Sequence, residues 1–339
     1  MFDNELGDVL YLIGGYTCKI TALSLSIPPK IKRLVPILVT GDHDGYIKAY
    51  NLQSGDTLLN NISNYQHNGP INSIFINEKG CSLIFAAVDS EVHVWNWDSE
   101  RLINTIKDHT STVKSIACCT QRSQEDINYE IVCTAGHDGM INIYDLLTLD
   151  KIDCIDTGLL VNCIVVGFIS CTEVFLVLGS FEGILRIYDM TQPLPPPLQA
   201  SSSLPFYNII HNIQSSESPI YAVAMVDTIV PAFVSAGADM IINIYDLKEG
   251  SILASVSGTH TGPIRSIDVT IDPRFIIVTG GHDNKAIVID IHKIADNDED
   301  MMRVLAHLKL KPFHFESKKV YLFEKSIDED SSSILTDYN

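Results

Sequence analysis

A twelve-residue segment recurs six times along this chain of 339 residues, and the repetition narrows its possible folds more than any single motif does. The copies are TGDHDGYIKAYN (40–51), FAAVDSEVHVWN (85–96), TAGHDGMINIYD (134–145), LGSFEGILRIYD (178–189), SAGADMIINIYD (235–246) and TGGHDNKAIVID (279–290). The fifth place always holds an acid: Asp44, Asp89, Asp138, Glu182, Asp239 or Asp283. Six residues later stands Tyr50, Trp95, Tyr144, Tyr188, Tyr245 or Ile289, followed each time by Asp or Asn. Successive acids lie 45, 49, 44, 57 and 44 residues apart. Within each copy an apolar run such as ILVTG enters a tight turn rich in Gly, Asp or Asn. An alternating run such as MINIYD then leaves it, which predicts a hairpin with one buried face. Short apolar runs before each hairpin (INSIFI, VKSIAC, NCIVVG, YAVAMV, RSIDVT) and after it (DTLLNNI, ERLINTI, DKIDCI, SILASV, MMRVLA) complete four strands per unit.

The pattern resembles the WD-repeat family of β-propellers. That family carries a Gly-His ahead of the first strand and a Trp-Asp at the end of the third. Here the His stands as His67, His109 and His260. The closing pair is Trp95-Asn96, with Tyr-Asp at 144–145, 188–189 and 245–246. The resemblance covers nearly the whole chain. It implies an all-β fold, a seven-bladed β-propeller of four-stranded antiparallel blades in which the N- and C-terminal strands share the last blade. The expected blades are 18–62, 68–108, 110–157, 160–214, 218–258, 261–307, and 308–339 with 6–15. Sharing a blade between the termini would remove the exposed sheet edges of an open ring. A six-bladed ring with an unpaired tail is the alternative.

The His-Asp pairs at 43–44, 137–138 and 282–283 invite a metal or catalytic reading. The resemblance implies a structural one instead: the turn acids Asp44, Asp89, Asp138, Glu182, Asp239 and Asp283 link a loop His, a strand hydroxyl and the aromatic residue into a hydrogen-bonded network. His109, Thr134, Asp138 and Tyr144 form the full set in the third blade. In relatives the narrow face binds peptides through two residues per blade. One set matches Thr21, Asn72, Lys114, Asn162, Tyr221 and Arg265; the other matches His43, Val88, His137, Phe181, Ala238 and His282. A partner-binding mouth is therefore expected around Lys114, His137, Phe181, Tyr221, Arg265, His43 and His282, residue types that dominate interface energetics. The segment Asp239 with Ile244-Tyr245-Asp246-Leu247-Lys248 is similar to the box by which some WD-repeat proteins join cullin ubiquitin ligases, although Val234 departs from it.

Composition sets further bounds. With 23 Lys+Arg against 42 Asp+Glu the formal charge is −19, which opposes direct binding of nucleic acid. The eight Cys include no C-x-x-C pair and read as buried reduced thiols of a cytoplasmic or nuclear protein. Leu159 to Phe181 is long enough to span a bilayer, but Asn162, Ser170, Thr172 and Glu173 interrupt it, so two buried strands are expected and no membrane insertion. Pro193 to Pro197 predicts a stiff surface loop, and 120–128 a polar one. No phosphate loop, nucleophile elbow or H-E-x-x-H is present. The expectation is a non-catalytic interaction scaffold in a multiprotein complex, without cofactor or metal, binding other proteins or peptides and not itself. A chaperone for a basic client, motivated by the charge, and a cullin-ligase receptor are the alternatives.

Overall fold

A computed structural model describes residues 16–26, 36–58, 65–77, 83–97, 99–122, 128–169, 173–191, 207–226, 228, 230–271, 274–292 and 299–308. These residues form six antiparallel sheets, each a blade whose strands pair in chain order. Blade 1 contains β1 (Ile20–Ser26), β2 (Ile37–Asp42) and β3 (Ile47–Asn51). Blade 2 contains β4 (Ile71–Asn77), β5 (Leu83–Val88), β6 (Glu91–Asn96) and β7 (Arg101–Ile106). Blade 3 contains β8 (Val113–Arg122), β9 (Asn128–Gly136), β10 (Met140–Asp145) and β11 (Lys151–Asp156). Blade 4 contains β12 (Val161–Ile169), β13 (Glu173–Ser180), β14 (Ile184–Asp189) and β15 (Asn208–Gln214). Blade 5 contains β16 (Ile220–Val226), β17 (Ala232–Gly237), β18 (Ile242–Asp246) and β19 (Ile252–Val256). Blade 6 contains β20 (Ile264–Thr270), β21 (Ile276–Gly281) and β22 (Ala286–Asp290). The first strands β1, β4, β8, β12, β16 and β20 contact one another in that order, as the inner strands of a propeller do.

The alternation of side chains along a strand explains how the blades stack. In β5, Phe85 and Ala87 pack toward blade 3, whereas Ala86 and Val88 pack toward blade 1. Both faces are apolar, so each blade is covered on both sides. Five core clusters result, each joining two consecutive blades, from Val39 and Ile71 between blades 1 and 2 to Ile244 and Ile277 between blades 5 and 6. Fully buried Phe85, Tyr188 and Phe233 each contribute about 1.5–3 kcal/mol by leaving water. Among the described residues no core cluster joins blade 6 to blade 1. There Leu23 and Leu25 are 61% and 60% exposed, and Val278 and Val288 are 40% and 45% exposed.

The expectation of seven blades is corrected to six. MMRVLA, expected as the fourth strand of blade 6, lies instead in helix α1 (Glu299–His307). Its buried residues Met301, Val304 and Leu305, with Leu308 just beyond, follow helical spacing and pack on the core between blades 5 and 6. The chain thus leaves the sheet where a strand leading into a further blade was expected. The proposed shared blade, 308–339 with 6–15, lies outside the described residues except for Leu308. Blades 1 and 6 have three strands among the described residues. DTLLNNI, read as the fourth strand of blade 1, makes a single bridge at Thr57, and 59–64 lie outside the described residues.

The segment 159–181 forms β12 and β13, and no helix among the described residues is long and apolar enough to cross a membrane. The polar loop read at 120–128 is shorter than expected, because β8 and β9 pair as far as Arg122 with Asn128. The proline-rich segment 192–206 lies outside the described residues.

Gly55 and Gly183 both adopt φ +77°, but a Cβ on Gly55 would meet nothing within 4 Å, whereas on Gly183 it would lie 2.1 Å from the Ser216 carbonyl oxygen. Gly55→Ala should cost about 1–2 kcal/mol, the price of left-handed backbone in an L-residue. Gly183→Ala should cost at least about 2 kcal/mol more, because backbone must move. Urea denaturation midpoints of the two variants check this difference.

Candidate functional site

The antiparallel register places the start of each first strand beside the turn between the second and third strands, so both sets of mouth residues fall on one rim. At that rim every first strand makes the same departure from regular pairing. The register slips between Ile20 and Ala22, Ile71 and Ser73, Val113 and Ser115, Val161 and Cys163, Ile220 and Ala222, and Ile264 and Ser266. The residues skipped are Thr21, Asn72, Lys114, Asn162, Tyr221 and Arg265. A bulge frees one residue from the ladder and re-aims its side chain. One bulged residue per blade therefore encircles the mouth.

These six side chains divide into two groups. Thr21 Oγ1 donates to the Ile71 carbonyl at 2.5 Å, and Asn162 Nδ2 donates to the Ile220 carbonyl at 2.9 Å, each bracing the next blade. The other four make no such brace among the described residues. The Arg265 guanidinium lies 3.8 Å from the centre of the Tyr221 ring. The Lys114 ammonium has its pKa lowered by burial and by the charge of Arg265, against the weaker opposing pull of Asp89. Asn72 Nδ2 is buried without a hydrogen-bond partner among the described residues.

From the second set, His137 Nε2 bonds Asn162 Oδ1 at 3.0 Å, tying the two sets together. Phe181 is 49% exposed. His43 and His282 are exposed, and His43 approaches Asp44 at 3.9 Å. Val88 is buried and so does not contribute to the mouth surface.

The histidine networks occupy the adjoining loops. His109 Nδ1 bonds Asp138 at 2.8 Å and its Nε2 bonds Thr134 Oγ1 at 2.8 Å. Asp138 also accepts the Thr110 and Met140 amides. Tyr144 donates to Asp108, beside His109, at 2.9 Å. Blade 6 repeats the arrangement: His260 bonds Asp283 at 3.0 Å and Thr279 at 2.8 Å, and Thr261 and Lys285 donate amides to Asp283.

Two copies of a loop His joined to a turn acid and a strand Thr, set in six sheets whose closing Asp or Asn follows the third strand, are the features of WD repeats, and two stretches of the chain match that family. The family described as "WD domain, G-beta repeat" matches residues 100–145 and 250–290. The chain is 26% identical to Striatin-3 of Rattus norvegicus over 278 residues, which is 73% of this chain and 32% of that protein. It is 24% identical to Striatin-3 of Homo sapiens over 328 residues, 86% of this chain and 37% of that protein. The chain thus spans about a third of the length of these curated relatives.

The six blades carry this network unevenly. Asp89 takes φ +51° itself, whereas in the other turns the residue after the acid does so (Gly45, Gly139, Gly183, Met240 and Asn284). The Asp89 side chain consequently accepts no hydrogen bond among the described residues. Blade 2 instead joins His67 to His93 through their Nδ1 atoms at 2.7 Å, and His93 to Glu91 at 3.2 Å. Burial, reinforced by His93, lowers the His67 pKa to about 4. In blade 1 Tyr16 takes the loop position, bonding Thr40 and lying 4.3 Å from the Lys48 ammonium. Glu182 accepts the Leu160 amide and Asp239 the Ile241 amide, while Asp44 approaches His43. Tyr16 and His93 were not singled out in the sequence. Their signal was positional: Tyr16, His67, His109 and His260 all stand four residues before a first strand.

The residue that closes each third strand has a separate task. Asn51, Asp145 and Asp246 each accept two amide hydrogens from the following turn. Asp246 also bonds His307 of α1 at 2.7 Å. The cullin-like segment is correspondingly enclosed: Ile244, Tyr245 and Leu247 are fully buried, and Lys248 pairs with Glu173 at 2.7 Å. Among the described residues no group of His, Cys, Asp and Glu could hold a metal ion.

These networks set the response to acid. Burial pushes the Asp283 carboxyl up, but the Thr261 amide, His260 and the Lys285 amide outweigh it and bring its pKa to about 2. A depressed carboxylate stabilises the fold above its unfolded pKa, so this contribution should fade as pH falls from about 4 toward 2. His67 acts in a higher window: the unfolded chain takes up the proton first, so stability should fall between about pH 6.5 and 4, by up to roughly 3 kcal/mol. His67→Phe should flatten that upper window in urea melts across pH and leave the lower one in place. Thr279→Val, which strands buried His260 Nε2, should cost about 1–3 kcal/mol at neutral pH.

Proposed function

We propose that this WD-repeat propeller is a non-catalytic interaction scaffold, a subunit or adaptor of a multiprotein complex, that takes hold of a partner at the mouth of its narrow face. The observation that carries this reading is the bulge repeated at the same place in all six inner strands. It costs ladder hydrogen bonds in every blade and yields a ring of side chains released from the sheet. Exposed Phe181 and half-buried Tyr221 supply apolar contact area at low conformational cost. Thr21, Asn162 and His137 around them satisfy one another or the backbone, which suits rigid presentation better than proton transfer. The similarity to Striatin-3 supports a scaffold or adaptor kind of role. Five free thiols on blades 3 and 4, including buried Cys119, Cys133 and Cys163, support work in a reducing compartment.

Affinity capture with the full chain, read by quantitative mass spectrometry at low and high salt, tests this proposal. Wild type should retain a defined set of proteins, and Phe181→Ala/Tyr221→Ala should lose a subset of it about tenfold or more. A retained set identical between the two chains would overturn the mouth as the docking site.

A further inference from the structure

The mouth contains a feature that general peptide docking does not require. The protein carries a formal charge of −19, yet two of its six bulged positions are basic. Lys114 stands on blade 3 and Arg265 on blade 6, and among the described residues neither has a carboxylate partner. Arg265 rests on Tyr221, which holds its planar group in place and leaves its edge N–H donors available. Lys114 is partly buried, and the positive charge of Arg265 reaches it strongly enough to favour loss of its proton. Among the described residues Asp89 opposes this effect. Two like charges brought together in a partly dehydrated site destabilise each other unless an anion lies with them. Beside Lys114, on the neighbouring blade, Asn72 Nδ2 is a buried donor with no acceptor, and an unmade bond of that kind costs about 1–3 kcal/mol.

We propose that the bulged residues Lys114, Arg265 and Asn72 form a carboxylate-binding subsite at the propeller mouth, which receives an acidic side chain of a partner peptide while Tyr221 packs against the adjoining residue. This deepens the docking role proposed above and rests on it. Arg265 offers a forked pair of donors matched to a carboxylate, Lys114 a point charge and Asn72 a neutral donor. The rest of the acidic surface repels the same peptide, so the site should be selective for position as well as for charge. One acidic peptide should bind per chain.

The test uses the full chain and two libraries of short labelled peptides. One is randomised over Asp, Glu, Leu and Gly; the other replaces the acids with Asn and Gln. Binding is read by fluorescence anisotropy, and folding of every variant is checked by circular dichroism and thermal melting. The acidic library should bind and the amide library should not. Lys114→Glu and Arg265→Glu should each weaken binding about tenfold or more, while Arg101→Glu, at an exposed position on β7, should leave it unchanged. Lys114→Gln and Arg265→Gln serve if the reversals unfold. Equal binding of both libraries, or equal loss in Arg101→Glu, would overturn the subsite. If Phe181→Ala/Tyr221→Ala releases cellular partners while the acidic library never binds, the acidic chemistry fails and the docking mouth stands. If neither experiment shows a mouth-dependent ligand, both proposals fail.

Discussion

Every blade of this protein has two apolar faces and can hide neither by itself. A lone sheet of three or four strands would leave both in water, and only the next blade covers them. The five inter-blade cores are therefore the constraint on which the remaining structure depends. They explain why strands such as β13 and β17 are buried along nearly their whole length, with no polar face at all. They also explain why polar residues within the strands, such as His93, Thr134, Asn142 and Thr279, are themselves buried. Within such packing an unpaired donor is expensive, so His109 and His260 are each satisfied at both ring nitrogens.

The networks act as staples between a loop and the hairpin it crosses. Where the loop His, turn acid and strand Thr are all present, in blades 3 and 6, the loop ahead of the first strand is fixed to the turn acid and to the second strand. Where a member is missing, another pair takes the same place: Tyr16 with Thr40 in blade 1, and His67 with His93 in blade 2. The site is thus conserved in position within the chain and varied in chemistry. That variation gives the blades unequal responses to acid.

Much of this was legible in the sequence. The hairpins declare themselves through two-residue alternation around a turn that needs positive φ. The inner positions from Thr21 to Arg265 could be placed because one residue always follows the first apolar residue of the first strand. The blade count was not legible. MMRVLA contains enough apolar residues to read as a strand, and only the spacing of Met301, Val304, Leu305 and Leu308 marks it as helical. The bulge was also hidden, because it changes pairing without changing composition. Nor did the identity of Tyr16 or His93 announce a role. Their partners lie on another strand or loop, and a hydroxyl or imidazole in a linear string gives no sign of what will face it.

The bulged inner residue stands outside the ladder, and this has an evolutionary consequence. A substitution at Asn72, Lys114, Tyr221 or Arg265, which brace no neighbouring blade among the described residues, disturbs neither strand pairing nor the inter-blade cores, so it meets little resistance from folding. Thr, Asn, Lys, Asn, Tyr and Arg already occupy the equivalent places in six blades. Binding preference can drift, duplicate or be redesigned one blade at a time, while the surrounding sheets continue to fold as before.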